Sequence, residues 1–389
     1  MLELLGFDSL GLDGSEQVAI LVGPNGAGKS HFLRRLASDL RYSRNVAVIC
    51  NTAYDRFSGM RGITRISANR SARSPKTVVK LAVADTLDRE DGRFYQIAKI
   101  LEHCGYSERI GFKVEMKGWR KSPEPQQLLE AGGDPRDIDL AVSFFERFDP
   151  NEILWVGERG RVLGFSQGRE FASVLRLESA LRKSRQLSDI QVYLERINGP
   201  IIELLGASSG ELTLISSLLF LIANRDENPI ILVDEPENSL HPNWQREYVD
   251  KLLNALEYRG ATVVIATHAP LIVTGALANS RKLVSVFQIH EGDAKRIDLA
   301  GSARSSESIE AILWQAFNVI TPASHFVSEE LVGVVSQLER GEIGADAALV
   351  RVNEMDAHSF DPQQREFFDA VRKLIAKVVG ERERRSDDG

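Results

Sequence analysis

The sequence predicts an α/β fold built on a parallel sheet, and three short stretches predict it. Each is an apolar run that ends on glycine, carboxylates or an imidazole: Val18 to Val22 before "GPNGAGKS", "PIILV" before Asp234-Glu235, and Val263-Val264-Ile265 before Thr267-His268. Apolar runs of this kind belong inside a sheet buried on both faces. Charge is expensive there, so two acids at the end of one need a reason.

Composition sets the frame. The chain has 389 residues, 43% hydrophobic and 26% charged, enough to bury a sizeable core in one large domain with insertions or in a few small ones. A net charge of −7 excludes a uniformly basic nucleic-acid coat and leaves room only for local basic patches. The cysteines, Cys50 and Cys104, have no metal-ligand spacing and cannot build a disulfide framework. They read as small buried side chains in a reducing compartment. The opening "MLELLGFDSLGLDG" is acidic and lacks the basic start of a signal peptide, and no apolar run approaches membrane-spanning length. The expectation is a soluble, cytoplasmic protein with no membrane partner.

The first run turns through Gly23-Pro24-Asn25-Gly26-Ala27-Gly28-Lys29-Ser30 into a helix with Phe32, Leu33, Leu36 and Leu40 on one face. The eight residues fit G-x-x-x-x-G-K-[ST] at every position. Glycines let backbone N–H groups approach phosphate oxygens, and the helix N-terminus adds partial positive charge. Lys29 is placed to reach the β- and γ-phosphates of ATP, and the Ser30 hydroxyl to bind Mg²⁺. The acids of the second run then have a role. Asp234 fits the second Mg²⁺ carboxylate at a neighbouring strand end, and Glu235 the general base that orients the attacking water. His268 lies 34 residues beyond Asp234, across the helix "WQREYVDKLLNALEYRG". That is a βαβ unit, which puts both strand ends on one sheet edge and lets His268 sense a γ-phosphate.

"LLGASSGELTLISSLLFLIANR" puts Ser208, Ser209 and Gly210 at the mouth of an apolar helix just ahead of the Asp234 strand. Alone it is an N-capped core helix. In order with the other pieces, Ala207-Ser208-Ser209-Gly210-Glu211 resembles the LSGGQ signature of ABC-type ATPases, with Ser209 in place of the first glycine and Glu211 in place of the glutamine. The resemblance implies a P-loop ABC-type ATPase head, residues 1–58 and 201–300, that sandwiches ATP in a dimer, with Ser208 and Gly210 reaching the nucleotide of the partner. "DEPENSLHPNWQ" is unlike transporter ATPases. It resembles stand-alone prokaryotic ATPases of the overcoming-lysogenization-defect and Septu types, which implies anti-phage defence. Septu-like chains show an Asp-Arg/Lys-Phe ending, here Asp55-Arg56-Phe57, where related ATPases carry a Q-loop glutamine. Asp55 or Asn51 stands as its substitute.

Residues 59–200 read as a mostly helical insertion with a β-hairpin turning near 158–160. "EPQQLLEAGGDPRDIDLAVSFFERF" reads as helix-turn-helix and "REFASVLRLESALRKSRQLSDIQVYLERING" as a charged helix or helix pair. The insertion opens on Arg56, Arg61, Arg65, Arg70, Arg73, Lys76 and Lys80 with no acid up to Ala84, +7 over 29 residues. This is either a solvated loop with one arginine on ATP or a docking strip for nucleic acid or an acidic partner. Residues 301–380 read as a helical C-terminal extension whose stripe, Phe367, Phe368, Val371, Leu374, Ile375, Val378 and Val379, packs on its own domain or on a partner. Residues 381–389 read as a disordered tail. No acidic cluster resembles a fused nuclease domain. The functional expectation is therefore an ATPase that dimerises around nucleotide and controls a separate effector, a nuclease or toxin. Two alternatives stay open: a DNA-end-binding repair ATPase, and a nucleotide-gated scaffold with negligible hydrolysis.

Overall fold

In the computed structural model, the described residues are 5, 16–67, 74–88, 94–117, 122–148, 152–157, 165–224, 228–256, 260–297, 325–357 and 362–387. The chain begins as the sequence predicts. Strand β1 (Gln17–Val22) leads through the glycine loop into helix α1 (Lys29–Leu40), which buries Phe32, Leu33, Leu36 and Ala37. Strand β2 (Val46–Cys50) is wholly buried, and β3 (Thr64–Ser67) pairs beside it in parallel. The main sheet thus reaches beyond residue 58, into the start of the expected insertion.

The insertion is less helical than its charge pattern suggests. Helices α2 (Pro75–Leu87) and α3 (Phe94–His103) precede the long strand β4 (Tyr106–Met116). Helices α4 (Pro125–Glu130) and α5 (Pro135–Arg147) form the expected helical hairpin, the second opened by the Asp134 carboxylate accepting from the Arg136 N–H at 2.8 Å. Strand β5 (Leu154–Gly157) follows, then α6 (Phe165–Arg176), α7 (Glu178–Lys183), β6 (Leu187–Arg196) and β7 (Ile201–Glu203). A four-stranded antiparallel sheet, β5-β4-β6-β7, forms the centre of the insertion.

Two sequence expectations need correction here. The stretch 187–196 is a strand, not the end of a charged helix: Ile190, Val192 and Leu194 are buried in strict alternation with polar residues. Strand β5 pairs with β4, a segment earlier in the chain, so it does not depend on a hairpin partner immediately after it. The turn near 158–160 lies outside the described residues.

The remaining elements complete the main sheet: α8 (Ser209–Ala223), β8 (Ile230–Asp234), α9 (Pro242–Leu256), β9 (Thr262–Ala266), α10 (Pro270–Ser280), β10 (Val284–His290) and β11 (Asp293–Arg296). Its order is β11-β10-β1-β9-β8-β2-β3, parallel except for the β10–β11 hairpin. Registers put Cys50, Asp234, Ala266 and Leu21 in one row across four strands, which fixes the carboxyl edge. One apolar cluster covers a face of this sheet and runs on into the insertion, including Phe112, Phe144 and Phe171; a second covers the other face through Phe32, Leu36 and Phe57. Both cysteines are buried free thiols, and burial pushes Cys104 up to about 12.

Helices α11 (His325–Arg340), α12 (Ala345–Ala357) and α13 (Pro362–Asp387) share a separate core. The stripe of α13 serves that core: Phe368, Val371 and Ile375 are buried with Leu331, Leu338 and Val352, and Arg372 ion-pairs with Asp356. Leu374 is left exposed at 45%. The backbone of 381–387 continues the helix, where the sequence had suggested a disordered tail, because Glu and Arg are good helix formers that extend an existing helix at little cost. Among the described residues no helix is long and apolar enough to cross a membrane.

Candidate functional site

Every part of the predicted catalytic apparatus that belongs to one subunit meets at the carboxyl edge of the main sheet. The loop between β1 and α1 needs its glycines: a Cβ on Gly23 would lie 2.9 Å from the Ile289 carbonyl, and Gly28 has φ +97°. Lys29 is nearly buried and donates through Nζ to the Gly23 and Pro24 carbonyls at 2.7 and 3.1 Å. Burial lowers its pKa, and the carboxylates of Glu235, Glu237 and Asp234 oppose that shift.

Ser30 Oγ donates to Asp234 Oδ1 at 2.8 Å, joining α1 to the end of β8. Asp234 is 1% exposed, and its Oδ2 is buried with no hydrogen-bond partner. Burial pushes this carboxyl up to about 6, and the neighbouring Glu235 adds to the rise against the Ser30 hydrogen bond. A desolvated hydroxyl–carboxylate pair with an orphaned oxygen is what a hard cation offsets. Mg²⁺ binds through one or two protein oxygens plus substrate phosphates rather than in an all-protein cage. Consistent with that mode, no group of three or more His, Cys, Asp or Glu able to hold a metal occurs among the described residues.

Glu235 turns the chain out of the sheet at φ +49°, a left-handed conformation unusual for a glutamate. Its N–H stays tied to the Ala266 carbonyl at 2.9 Å, and its Oε2 accepts from Asn238 Nδ2 at 3.0 Å. The same amide donates to the Asn51 carbonyl at 3.2 Å. A cleft of about 440 Å³ is lined by Asn25, Gly26, Lys29, Ser30, Glu235 and His268, among others.

Two residues in or beside this cleft were not assigned roles from sequence. Glu237 is buried, and its Oε1 accepts from the His268 N–H at 2.6 Å, from Thr267 Oγ1 at 2.8 Å and from His268 Nδ1 at 2.9 Å. Glu235 Oε1 is farther from that ring nitrogen, at 3.8 Å. The ring is thus held by Glu237, with Nδ1 as donor. The signal was present as the third acid of "DEPE", but nothing in the spacing says which of three carboxylates takes the histidine. Arg56 also lines the cleft. Asp55, offered as a Q-loop substitute, is turned away: it accepts from the Phe57 N–H at 2.9 Å and ion-pairs with Arg65. Asn51 lies beside the site through its carbonyl, and its Nδ2 is buried without a partner.

Ser208 and Gly210 are not among the residues lining the cleft. Ser208 caps α8 in a reciprocal box with Glu211, its N–H donating to Glu211 Oε2 at 2.8 Å. Glu211 also takes Arg196 at 3.0 Å, which accounts for a glutamate at this position. Gly210 is required by close approach: a Cβ there would lie 2.4 Å from the carbonyl of Ser239, in the loop after Glu237.

The basic stretch does not survive as a strip. Arg65 pairs with Asp55, Lys76 with Asp189 and Glu203 at 2.7 and 3.2 Å, and Lys80 with Glu178 at 2.7 Å. The compensating acids come from elements far along the chain, so a local charge count could not see them. Arg70 and Arg73 lie outside the described residues.

Residues 106–274 match the family described as "AAA domain, putative AbiEii toxin, Type IV TA system". A segment of 143 residues is 30% identical to the "Retron Vc95 probable ATPase" of Vibrio cholerae serotype O1 biovar El Tor, covering 31% of this chain and 27% of that protein. The chain therefore spans only about a quarter of the curated relative it matches. Among solved structures, the Smc head domain of Pyrococcus furiosus, with an extended coiled coil and bound to the C-terminal domain of ScpA, is similar over 73% of this chain and 90% of that one, at a TM-score of 0.29 and 10% identity. The chain thus carries an AAA-type P-loop domain, with its phosphate loop ahead of the matched segment and Asp234, Glu235 and His268 inside it.

Proposed function

We propose that this protein is a Mg²⁺-dependent ATPase that closes as a nucleotide-sandwich dimer and controls a separate effector, a nuclease or toxin, in anti-phage defence. The observation that carries the ATPase reading is the convergence of Lys29, Ser30, Asp234, Glu235 and His268 on one cleft. Lys29, Arg56 and the loop N–H groups bind the phosphates. Ser30 and Asp234 would hold the magnesium ion, which supplies charge neutralisation at the β- and γ-phosphates. Glu235 takes the proton of the attacking water, its other oxygen fixed by Asn238. The defence role rests on the "DEPENSLHP" resemblance and on the descriptions of the matched family and of the retron relative. The paired state of Lys76 and Lys80 weighs against direct nucleic-acid docking through that stretch.

Glu237 is a positioning residue in this scheme, acting through His268. Glu237→Gln keeps the shape and loses the charge that holds the Nδ1 proton. The expected result is a fall in kcat on the order of tenfold with ATP affinity unchanged, the size seen when a carboxylate behind a functional histidine is lost. Combining it with His268→Ala should add almost nothing to His268→Ala alone. Additive losses in steady-state phosphate release would show that Glu237 acts elsewhere.

Dimerisation follows from where Ser208 and Gly210 sit. They form one surface with the Ser239 loop, apart from their own cleft, so a nucleotide contact by them must come from a second subunit. Mixing Ser208→Arg chains with Lys29→Ala chains should restore ATPase activity, because each heterodimer keeps one intact composite site. No recovery in dimers shown to have exchanged subunits would refute the sandwich.

A further inference from the structure

A second cavity, of about 960 Å³, lies at the other end of the sheet from the phosphate loop. Glu16 and Leu283, which border it, immediately precede β1 and β10, and Ala255 lies near the end of α9 ahead of β9, so the cavity opens at the amino edge. Its walls include Ile100 of α3, Leu218 and Ile222 of α8, and Leu253 of α9. The volume and apolar lining fit a small-molecule site.

Gln96 of α3 borders this cavity and is only 7% exposed, yet both its Nε2 and its Oε1 are buried with no hydrogen-bond partner. Buried amides are nearly always satisfied in native proteins, so an orphaned one calls for an explanation. A glutamine amide offers an acceptor and a donor side by side in one plane. The complementary group is a planar edge with an adjacent donor and acceptor, the lactam or amidine edge of a nitrogen heterocycle. The charged lining is Lys99 and Lys251 against Glu16, Glu102 and Asp250, two cations and three carboxylates, a balance of −1. Lys99 is already engaged by Glu102 at 2.7 Å. Such a rim does not favour a phosphate.

We propose that this cavity binds a neutral planar nitrogen heterocycle of nucleobase or nucleoside type, held through the Gln96 amide. The site stands apart from the ATPase reading, since it uses none of the cleft residues. Its position gives it a route to them: α8 and α9 begin beside Ser208 and just past Ser239 and run down to this cavity.

The test is calorimetric titration of the full chain with adenosine, guanosine, cytidine and uridine in turn. At least one should bind saturably at one site per chain. Gln96→Leu should weaken it by about tenfold or more, the loss of a bidentate amide contact. Lys29→Ala should leave it unchanged, which separates this site from the phosphate cleft. Without ligand, Gln96→Leu should melt no lower than the parent, because no internal hydrogen bond is lost. The proposal fails if none of the four binds, if binding is equal in Gln96→Leu or lost in Lys29→Ala, if AMP binds the Lys29→Ala chain more tightly than its nucleoside, or if Gln96→Leu melts lower.

Discussion

Lys29→Ala is expected to weaken ATP binding by about 100-fold or more, the scale of losing a charge-assisted contact that has no substitute. Lys29 is the cation on the first turn of α1, and its ammonium already lies within the fold of the loop, against the Gly23 and Pro24 carbonyls. Burial lowers its pKa, so the site works against its charge, and three carboxylates hold the proton in place. Arg56 is the other cation lining the cleft, but it enters from the loop after β2 rather than from the glycine loop. It cannot follow the phosphates from below as Lys29 does. The substitution should spare the fold, because the alanine leaves α1 intact and removes a desolvated charge. Equilibrium binding of a fluorescent ATP analogue, with melting temperature as the control, measures this. Affinity within a few-fold of the parent would mean that the loop does not hold the phosphates.

The main sheet and its chemistry were legible in the sequence because both rest on local signals. Parallel strands buried on both faces write themselves as apolar runs, and the βαβ rule carries Asp234 and His268 to the same edge without further information. The insertion was not legible, for a physical reason. Strand β4 pairs with β5 and β6, which lie far along the chain, so no local turn announces them. In 187–196 the alternation of Leu187, Ile190, Val192 and Leu194 was masked by Asp189, Glu195 and Arg196, whose charges suggest a helix face. The same non-locality hid the partners of Lys76 and Lys80, and hid the pairing of Glu237 with His268. What proximity in sequence cannot decide is which of several carboxylates a buried donor meets.

Glu235→Gln is expected to reduce ATP turnover by about 10²–10⁴-fold while leaving nucleotide affinity near that of the parent, since general-base assistance has that size. The two adjacent acids are separated by geometry. Asp234 ends β8 in the sheet plane, buried and bonded to Ser30, whereas Glu235 is swung out at φ +49° into the cleft. Glutamine keeps the contact with Asn238 and the backbone bond to Ala266 but cannot accept the water's proton. The variant should therefore accumulate as an ATP-bound dimer. Asp234→Asn should do the reverse, weakening Mg²⁺-ATP binding itself. It should also stabilise the nucleotide-free fold. A carboxyl held at about 6 when folded, against an ordinary value of 3.8, is protonated more readily in the native state. Stability is then highest below the unfolded value and falls as pH rises toward 6, a loss of about 3 kcal/mol at neutral pH that the amide does not incur. Steady-state phosphate release, nucleotide affinity and melting temperature for both variants separate the roles. Near-normal turnover in Glu235→Gln would remove it as the base and leave His268, backed by Glu237, as the group facing the water.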